Sequence, residues 1–247
     1  MDRGAHGACG RSQRRRPLEP DPGNAGEGSQ MGGDVALVFA GGDRPPDAVT
    51  ARLPDDAVVI AADSGLDHAV ALGFAIDLVV GDLDSVDPRL LASARAAGTT
   101  VETHPREKDE TDLELALGAA LARGARTVTV VGGAGGRLDH FLANLTVLAS
   151  PRFRELRLDA WVGFAHVTVV RDDVVVEGRV GALVSLVPLG GRATGIRTEG
   201  LRYPLADEDL EAGTTRGVSN ELLVPSARVR IRTGTLLVIA PEALEEP

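Results

Sequence analysis

The feature that most constrains this chain is a regular alternation that begins at Val35 and stops near Pro151. Short apolar runs at 35–40, 58–62, 78–80 and 127–131 each end in a polar or glycine-rich cluster, and helical segments follow them. The helical segments are marked by period and by caps. Leucines at 113, 117 and 121 recur at helical spacing over 113–123, and Asp87-Pro88 places a capping side chain before a proline suited to the first helical turn. A further helix is expected over 138–149. Strands that alternate with helices imply a largely parallel sheet covered on both faces, and such a sheet collects its ligands at the carboxyl ends of the strands. After Pro151 the helical period is lost. Runs at 166–170, 174–176, 183–187, 229–231 and 236–239 are separated by Gly, Asp-Asp or Pro, which predicts a small antiparallel sandwich or barrel. The expected organisation is an α/β chain: a Rossmann-like parallel-sheet nucleotide domain over 31–152, then a smaller β-sandwich over 153–247. Residues 1–30, rich in Gly, Arg, Pro and Ser, offer little to bury and are expected to be a disordered extension. The first strand starts close after Met31, which makes Met31 a candidate translation start.

Composition narrows the function. A hydrophobic fraction of 43% with only 3% aromatics calls for an aliphatic core. The net charge of −10 would repel a phosphate backbone and argues against nucleic acid as a partner. The one cysteine, Cys9, excludes an internal disulfide and suits a reducing compartment. No apolar run approaches the ~20 residues that span a bilayer, and the amino-terminal arginines lack the apolar stretch of a secretory signal. The chain reads as cytoplasmic, with no membrane partner.

Four clusters at the ends of the apolar runs carry the chemistry: Asp63-Ser64, Asp82-Leu83-Asp84-Ser85, Lys108-Asp109-Glu110-Thr111-Asp112, and Gly132-Gly133-Ala134-Gly135-Gly136-Arg137-Leu138-Asp139-His140. On an extended chain, Asp82 and Asp84 would share a face ~6.6 Å apart. Both could then reach one oxygen-seeking cation such as Mg²⁺. Asp112 is the third expected metal ligand. Thr111 with Glu114 fits a capping box, but a cap explains neither Lys108, suited to neutralising phosphate, nor the additional acids. The glycine segment lacks the Lys-Ser/Thr ending of a Walker loop. It also fails the dinucleotide pattern, because Leu138 stands where the last glycine belongs. Small residues beside a helix start nevertheless suit phosphate, and Arg137 could grip two phosphate oxygens. His140 and Asn144 lie one turn apart on one helix face. In the second half, Tyr203-Pro204-Leu205 and Gly217-Val218-Ser219-Asn220-Glu221 are polar against apolar strands and read alone as turn chemistry.

Taken in order, these segments resemble the thiamine diphosphokinase (thiamine pyrophosphokinase) family from Val35 to Ile239. The motifs at Ala61-Ala62-Asp63-Ser64-Gly65, Gly81-Asp82-Leu83-Asp84-Ser85, Lys108–Asp112 and 132–140 carry the resemblance, joined by Gly217–Glu221 and Gly234-Thr235-Leu236-Leu237-Val238-Ile239. The resemblance implies a Mg²⁺-dependent enzyme that turns thiamine and ATP into thiamine diphosphate and AMP, working as a homodimer with its site between subunits. It implies that Asp82, Asp84 and Asp112 hold the metal and serve catalysis. Asp63, Ser64, Lys108, Asp109, Thr111, Gly133, Gly135, Gly136, Arg137, Asp139, His140 and Asn144 would line the ATP site, and Ser219 and Asn220 would lie near thiamine. Some members stack thiamine on a late tryptophan; here the one tryptophan, Trp161, reads as core. Two other readings stay open. Asp82-Leu83-Asp84-Ser85-Val86 superficially matches the Asp-x-Asp signature of haloacid-dehalogenase-like phosphatases, although at least two strands precede it. A nucleotide-sensing module would explain phosphate binding but not the surplus of carboxylates.

Overall fold

The β-branched runs become strands. The computed structural model describes residues 33–245; the expectations for residues 1–30 and for Met31 lie outside them. β1 (Val35–Phe39), β2 (Val58–Ala62), β3 (Leu78–Gly81), β4 (Thr100–Thr103), β5 (Thr127–Val131) and β6 (Arg157–Val162) are parallel, in the spatial order β4-β3-β2-β1-β5-β6. They are joined through α1 (Gly65–Ala71), α2 (Pro88–Ala96), α3 (Asp112–Ala122) and α4 (Leu138–Leu148). Asp87 caps α2 as its sequence predicts, its carboxylate accepting from the Arg89 N–H at 2.7 Å. Strand order reverses between β1 and β5, the place where open α/β sheets leave a crevice at their carboxyl ends.

Burial on both faces explains why these strands read as continuous apolar runs. Val38, Ile60, Val80 and Val130 pack with Leu113, Ala116, Leu117 and Ala120 of α3. Their neighbours Leu37, Phe39, Val59 and Val131 turn to the other face, among Ala69, Trp161 and Leu244. Each fully buried Leu or Phe contributes ~1.5–3 kcal/mol, so an aliphatic core of this extent needs few aromatics.

The second half extends the same sheet. β7 (Ala165–Val170) pairs antiparallel with β6. Beyond it lie β14 (Leu236–Ala240), β9 (Leu183–Pro188) and the short β12 (Asn220–Glu221), completing ten strands in the order β12-β9-β14-β7-β6-β5-β1-β2-β3-β4. A separate antiparallel sheet, β11 (Ala206–Leu210), β10 (Ala193–Glu199), β13 (Ser226–Arg230) and β8 (Asp173–Glu177), packs on it through Ile196, Leu210 and Val229 against Val184, Leu186 and Val238. The expected division after residue 152 therefore meets an unbroken sheet. β6 follows that point yet is bonded to β5 on one side and β7 on the other. The pattern over β6 predicts no strand, because Arg157 and Asp159 interrupt its apolar residues. Asp159 is satisfied inside the sheet by the Thr129 hydroxyl and by His166, each at 2.8 Å. No helix among the described residues is long and apolar enough to cross a membrane.

Candidate active site

Parallel strands deliver their carboxyl ends to one edge, and the polar clusters arrive there together. Asp63 follows β2 and Asp82 follows β3, while Asp112 opens α3 behind the cap of Thr111, whose hydroxyl accepts from the Glu114 N–H at 3.2 Å. Only half of the expected capping box forms, since the Glu114 carboxylate accepts from Arg152 at 3.0 Å instead. Two of these turns carry non-glycine residues in the left-handed region: Asp63 at φ 47° and Leu83 at φ 63°. Aspartate tolerates that conformation, whereas leucine is strained there, and such strain concentrates at functional sites. The turn at Leu83 also corrects one expectation. The chain is not extended from 82 to 84, so Asp82 and Asp84 do not share a face. The Asp84 carboxylate accepts instead from the Ser85 hydroxyl at 2.9 Å and pairs with Arg106 at 2.8 Å.

The carboxylates that converge are those of Asp63, Asp82 and Asp112, with one oxygen of each lying within 4.8 Å of the others. Gly81 allows this closeness, because a Cβ there would sit 3.0 Å from Asp112 Oδ1 and 3.2 Å from Asp63 Cβ. The nearest cation is Lys108, whose Nζ lies 3.1 Å from Asp112 Oδ1 and 3.7 Å from Asp82 Oδ2. It is at ion-pair distance from Asp112 Oδ1 but off the line of a hydrogen bond, and that oxygen and Asp63 Oδ1 are buried without a hydrogen-bond partner among the described residues. Burial raises the pKa of Asp63, and the charges of Asp112, Asp82 and Asp84 push it further up, against a hydrogen bond from the Ser64 backbone. Two like charges 4 Å apart repel by ~1 kcal/mol in water and ~4 kcal/mol near a protein surface. One lysine does not offset three such acids. Oxygen donors alone, crowded and with lone pairs unused, fit a hard divalent cation such as Mg²⁺.

This cluster forms part of the wall of a cavity of about 660 Å³. Of the residues expected at nucleotide or metal, Asp63, Ser64, Asp82, Asp84, Lys108, Asp109, Thr111, Asp112, Gly133, Gly135, Gly136, Arg137, His140 and Asn144 all line it. Asp139 does not. It pairs with Arg137 at 2.5 and 3.1 Å, and that hydrogen bond lowers its pKa to about 2. The glycine segment is welded to the end of β1: Gly133 donates to the Gly41 carbonyl at 2.8 Å, and Asp43 donates to that of Ala134 at 2.7 Å. Gly135, at φ 74°, lies so close to the Asp43 carboxylate that a Cβ would sit 2.1 Å from it. Among the described residues no side chain caps α4 at Arg137, while the Asp139 carboxylate faces the first-turn N–H groups of His140 and of Asp139 itself. Ser219 and Asn220 lie outside this cavity. Asn220 is buried and clamps its own loop, its amide oxygen accepting from the Tyr203 and Glu221 N–H groups at 3.0 and 2.9 Å. Ser219, at φ 59°, donates its N–H to the Ser185 hydroxyl at 3.1 Å.

Four contributors were not expected from the sequence. Arg106 lines the cavity; it stands in the same segment as Lys108, and a wider window would have included it. Gly41 and Gly42 also line it and directly follow the apolar run 35–40. His68, buried on α1, holds the end of β1 through a 2.9 Å contact between Nδ1 and the Ala40 carbonyl, a relation that has no local signal.

Comparison with known proteins gives a consistent result. Residues 50–159 match the family profile "Thiamin pyrophosphokinase, catalytic domain", and residues 171–238 match "Thiamin pyrophosphokinase, vitamin B1 binding domain". The chain is 25% identical over 206 residues to a thiamine pyrophosphokinase of Bacillus subtilis (strain 168), covering 82% of this chain and 96% of that one. It is 24% identical over 180 residues to thiamine pyrophosphokinase 1 of Oryza sativa subsp. japonica, covering 68% and 67%. Among solved structures, the thiamine pyrophosphokinase of Bacillus subtilis aligns with a TM-score of 0.73 at 25% identity, covering 83% of this chain and 98% of that one. That of Geobacillus thermodenitrificans aligns with a TM-score of 0.70 at 26% identity, covering 83% and 96%.

Proposed function

This chain belongs to the thiamin pyrophosphokinase family, and from that premise we propose that it transfers a diphosphoryl group from ATP to the hydroxyl of thiamine, releasing thiamine diphosphate and AMP. The observation that carries this reading is the convergence of Asp63, Asp82 and Asp112 beside Lys108 and the glycine segment in one cavity. We read the parallel sheet as a Rossmann-like nucleotide domain, supported by the reversal of strand order between β1 and β5.

In the proposed reaction the hydroxyl oxygen of thiamine attacks the β-phosphorus. The bond from that phosphorus to the α–β bridging oxygen breaks, and AMP leaves with the oxygen. The hydroxyl proton passes to a carboxylate of the cluster or to water. Asp82 and Asp112 are the proposed metal ligands, with Asp63 beside them and Asp84 two residues beyond Asp82. Mg²⁺ bound there would supply neutralisation of the polyphosphate charge. Lys108 offsets part of the charge of the acid cluster, Arg137 stands at the cavity wall, the glycine segment presents N–H groups, and His140 and Asn144 border the same space. Positioning and charge neutralisation of this kind account for most of the acceleration in phosphoryl transfer.

Ser219 and Asn220 are proposed to meet thiamine across a homodimer, in the cavity of the other subunit. Their position outside their own chain's cavity supports this, as do the exposed apolar side chains of Tyr203, Val218, Leu223 and Val224 nearby in the chain. We take residues 31–152 to serve the nucleotide and 153–247 thiamine and dimerisation, in the cytoplasm. The test is AMP release from ATP and Mg²⁺ with and without thiamine. Release that depends on thiamine is expected, and release indifferent to it refutes the reading.

A further inference from the structure

Among the described residues, each of the three cations lining the cavity is already paired with a carboxylate: Lys108 with Asp82 and Asp112, Arg137 with Asp139, and Arg106 with Asp84. A triphosphate entering this acidic space must draw positive charge out of such pairs, and the pairs differ in what they can release. The Lys108 side chain is only 12% exposed and sits inside the acid cluster, so its charge is committed there. Arg137 can let go, but its partner Asp139 lies outside the cavity and gains nothing there. Arg106 is 80% exposed on the loop between β4 and α3, and its partner Asp84 lines the same cavity as the cluster. Asp84 is also within reach of the metal ligands, since its backbone N–H donates to Asp82 Oδ1 at 3.2 Å. In this pair alone, both halves have somewhere to go.

We propose that Arg106 and Asp84 form an exchangeable latch: without nucleotide Arg106 holds Asp84 off the metal cluster, and when the triphosphate enters Arg106 moves to its phosphate oxygens and frees Asp84 to turn toward the divalent cation. This rests on the diphosphokinase reading and deepens it by coupling metal and nucleotide binding at one site. The chemistry suits the exchange. An exposed ion pair adds little stability and breaks easily, whereas the planar guanidinium matches phosphate with two parallel hydrogen bonds. It also accounts for an Asp-x-Asp pair whose second member stands apart from the converging carboxylates.

The test uses the full chain carrying Arg106→Gln. Titration calorimetry with Mg²⁺ alone reads the latch, and α,β-methylene-ATP at saturating Mg²⁺ reads the phosphate contact, because the methylene replaces the bridge that breaks. Losing the latch is expected to tighten Mg²⁺ about two- to fivefold. Losing the phosphate contact is expected to weaken the analogue about tenfold. The KM for thiamine should stay put, and Arg106→Lys should recover part of both shifts. Because Arg106 is exposed, melting temperatures should match the wild type. Unchanged or weaker Mg²⁺ binding in Arg106→Gln overturns the proposal, as does analogue affinity within twofold of wild type. Either result alongside intact thiamine-dependent AMP release overturns the latch alone; wild-type AMP release that ignores thiamine overturns the function itself.

Discussion

Two regions of this molecule are crowded with charged side chains, and they are built on opposite terms. On the outward face of the four-stranded sheet, Asp173 meets Arg228 and, at 3.6 Å, Arg230. Asp209 meets Arg192, while Asp207 meets Arg232 and, at 3.2 Å, Arg197. Hydrogen bonds and neighbouring arginines lower the pKa of Asp173 and of Asp209 there, the first through Arg228 and the second chiefly through the Gly195 N–H. At the ends of β2 and β3, among the described residues, the acids outnumber the cations, two buried oxygens lack hydrogen-bond partners, and the pKa of Asp63 is raised. The lattice is matched and solvated; the cluster is mismatched and partly buried. Mismatch of that kind costs the fold stability, and the difference teaches that a density of charge says little about function until its pairing is known.

The largest expected effect tests the cluster directly. Asp82→Asn should lower the rate of thiamine-dependent AMP release by about 100-fold or more while leaving the circular dichroism spectrum unchanged; near-normal turnover would remove Asp82 from the metal. Next, Mg²⁺ should raise the melting temperature of the wild type by mass action. A protein with Asp63, Asp82 and Asp112 all changed to Asn should not respond, and an equal rise in both would mean that the ion binds elsewhere.

A smaller effect has the opposite sign from a usual site mutation. Because the folded pKa of Asp63 is raised, the folded state holds that proton more tightly than the unfolded chain does. Metal-free stability therefore falls as pH rises from the ordinary value of 3.8 through the raised one, and the full penalty remains at neutral pH. Asp63→Asn should consequently melt a few degrees higher than wild type at pH 7 in chelator, with the gain vanishing below the ordinary carboxylate range. A lower melting temperature at pH 7 would contradict the mismatch. The smallest change belongs to the lattice: Asp173→Asn should leave activity intact and alter melting little, less still in high salt. A drop comparable to that of a core substitution would erase the contrast between the two regions.

Much of this could be read from residues alone. β2 and β5 form over the expected 58–62 and 127–131, and α3 lies within a residue of its expected span, because β-branched runs, leucine spacing and capping side chains act locally. The site segments were legible for a related reason: a parallel sheet necessarily sends the clusters after β2, β3 and β5 to one edge. Strands such as β10, with Gly195 near an irregular register, and β6, with Asp159 inward, hid their pairing because bulges and buried hydrogen bonds have no sequence period.

What the sequence determined by itself is thus the kind of element at each stretch, the order of the polar clusters and the family they resemble, all set by short-range preference and spacing. Only the tertiary structure decided that β6 ties the two halves into one sheet. It alone brought Asp63 to Asp82 and Asp112 while Leu83 turned Asp84 toward Arg106. Those outcomes depend on backbone twists at single residues and on which distant atoms they bring within a few ångströms, and no local pattern encodes them.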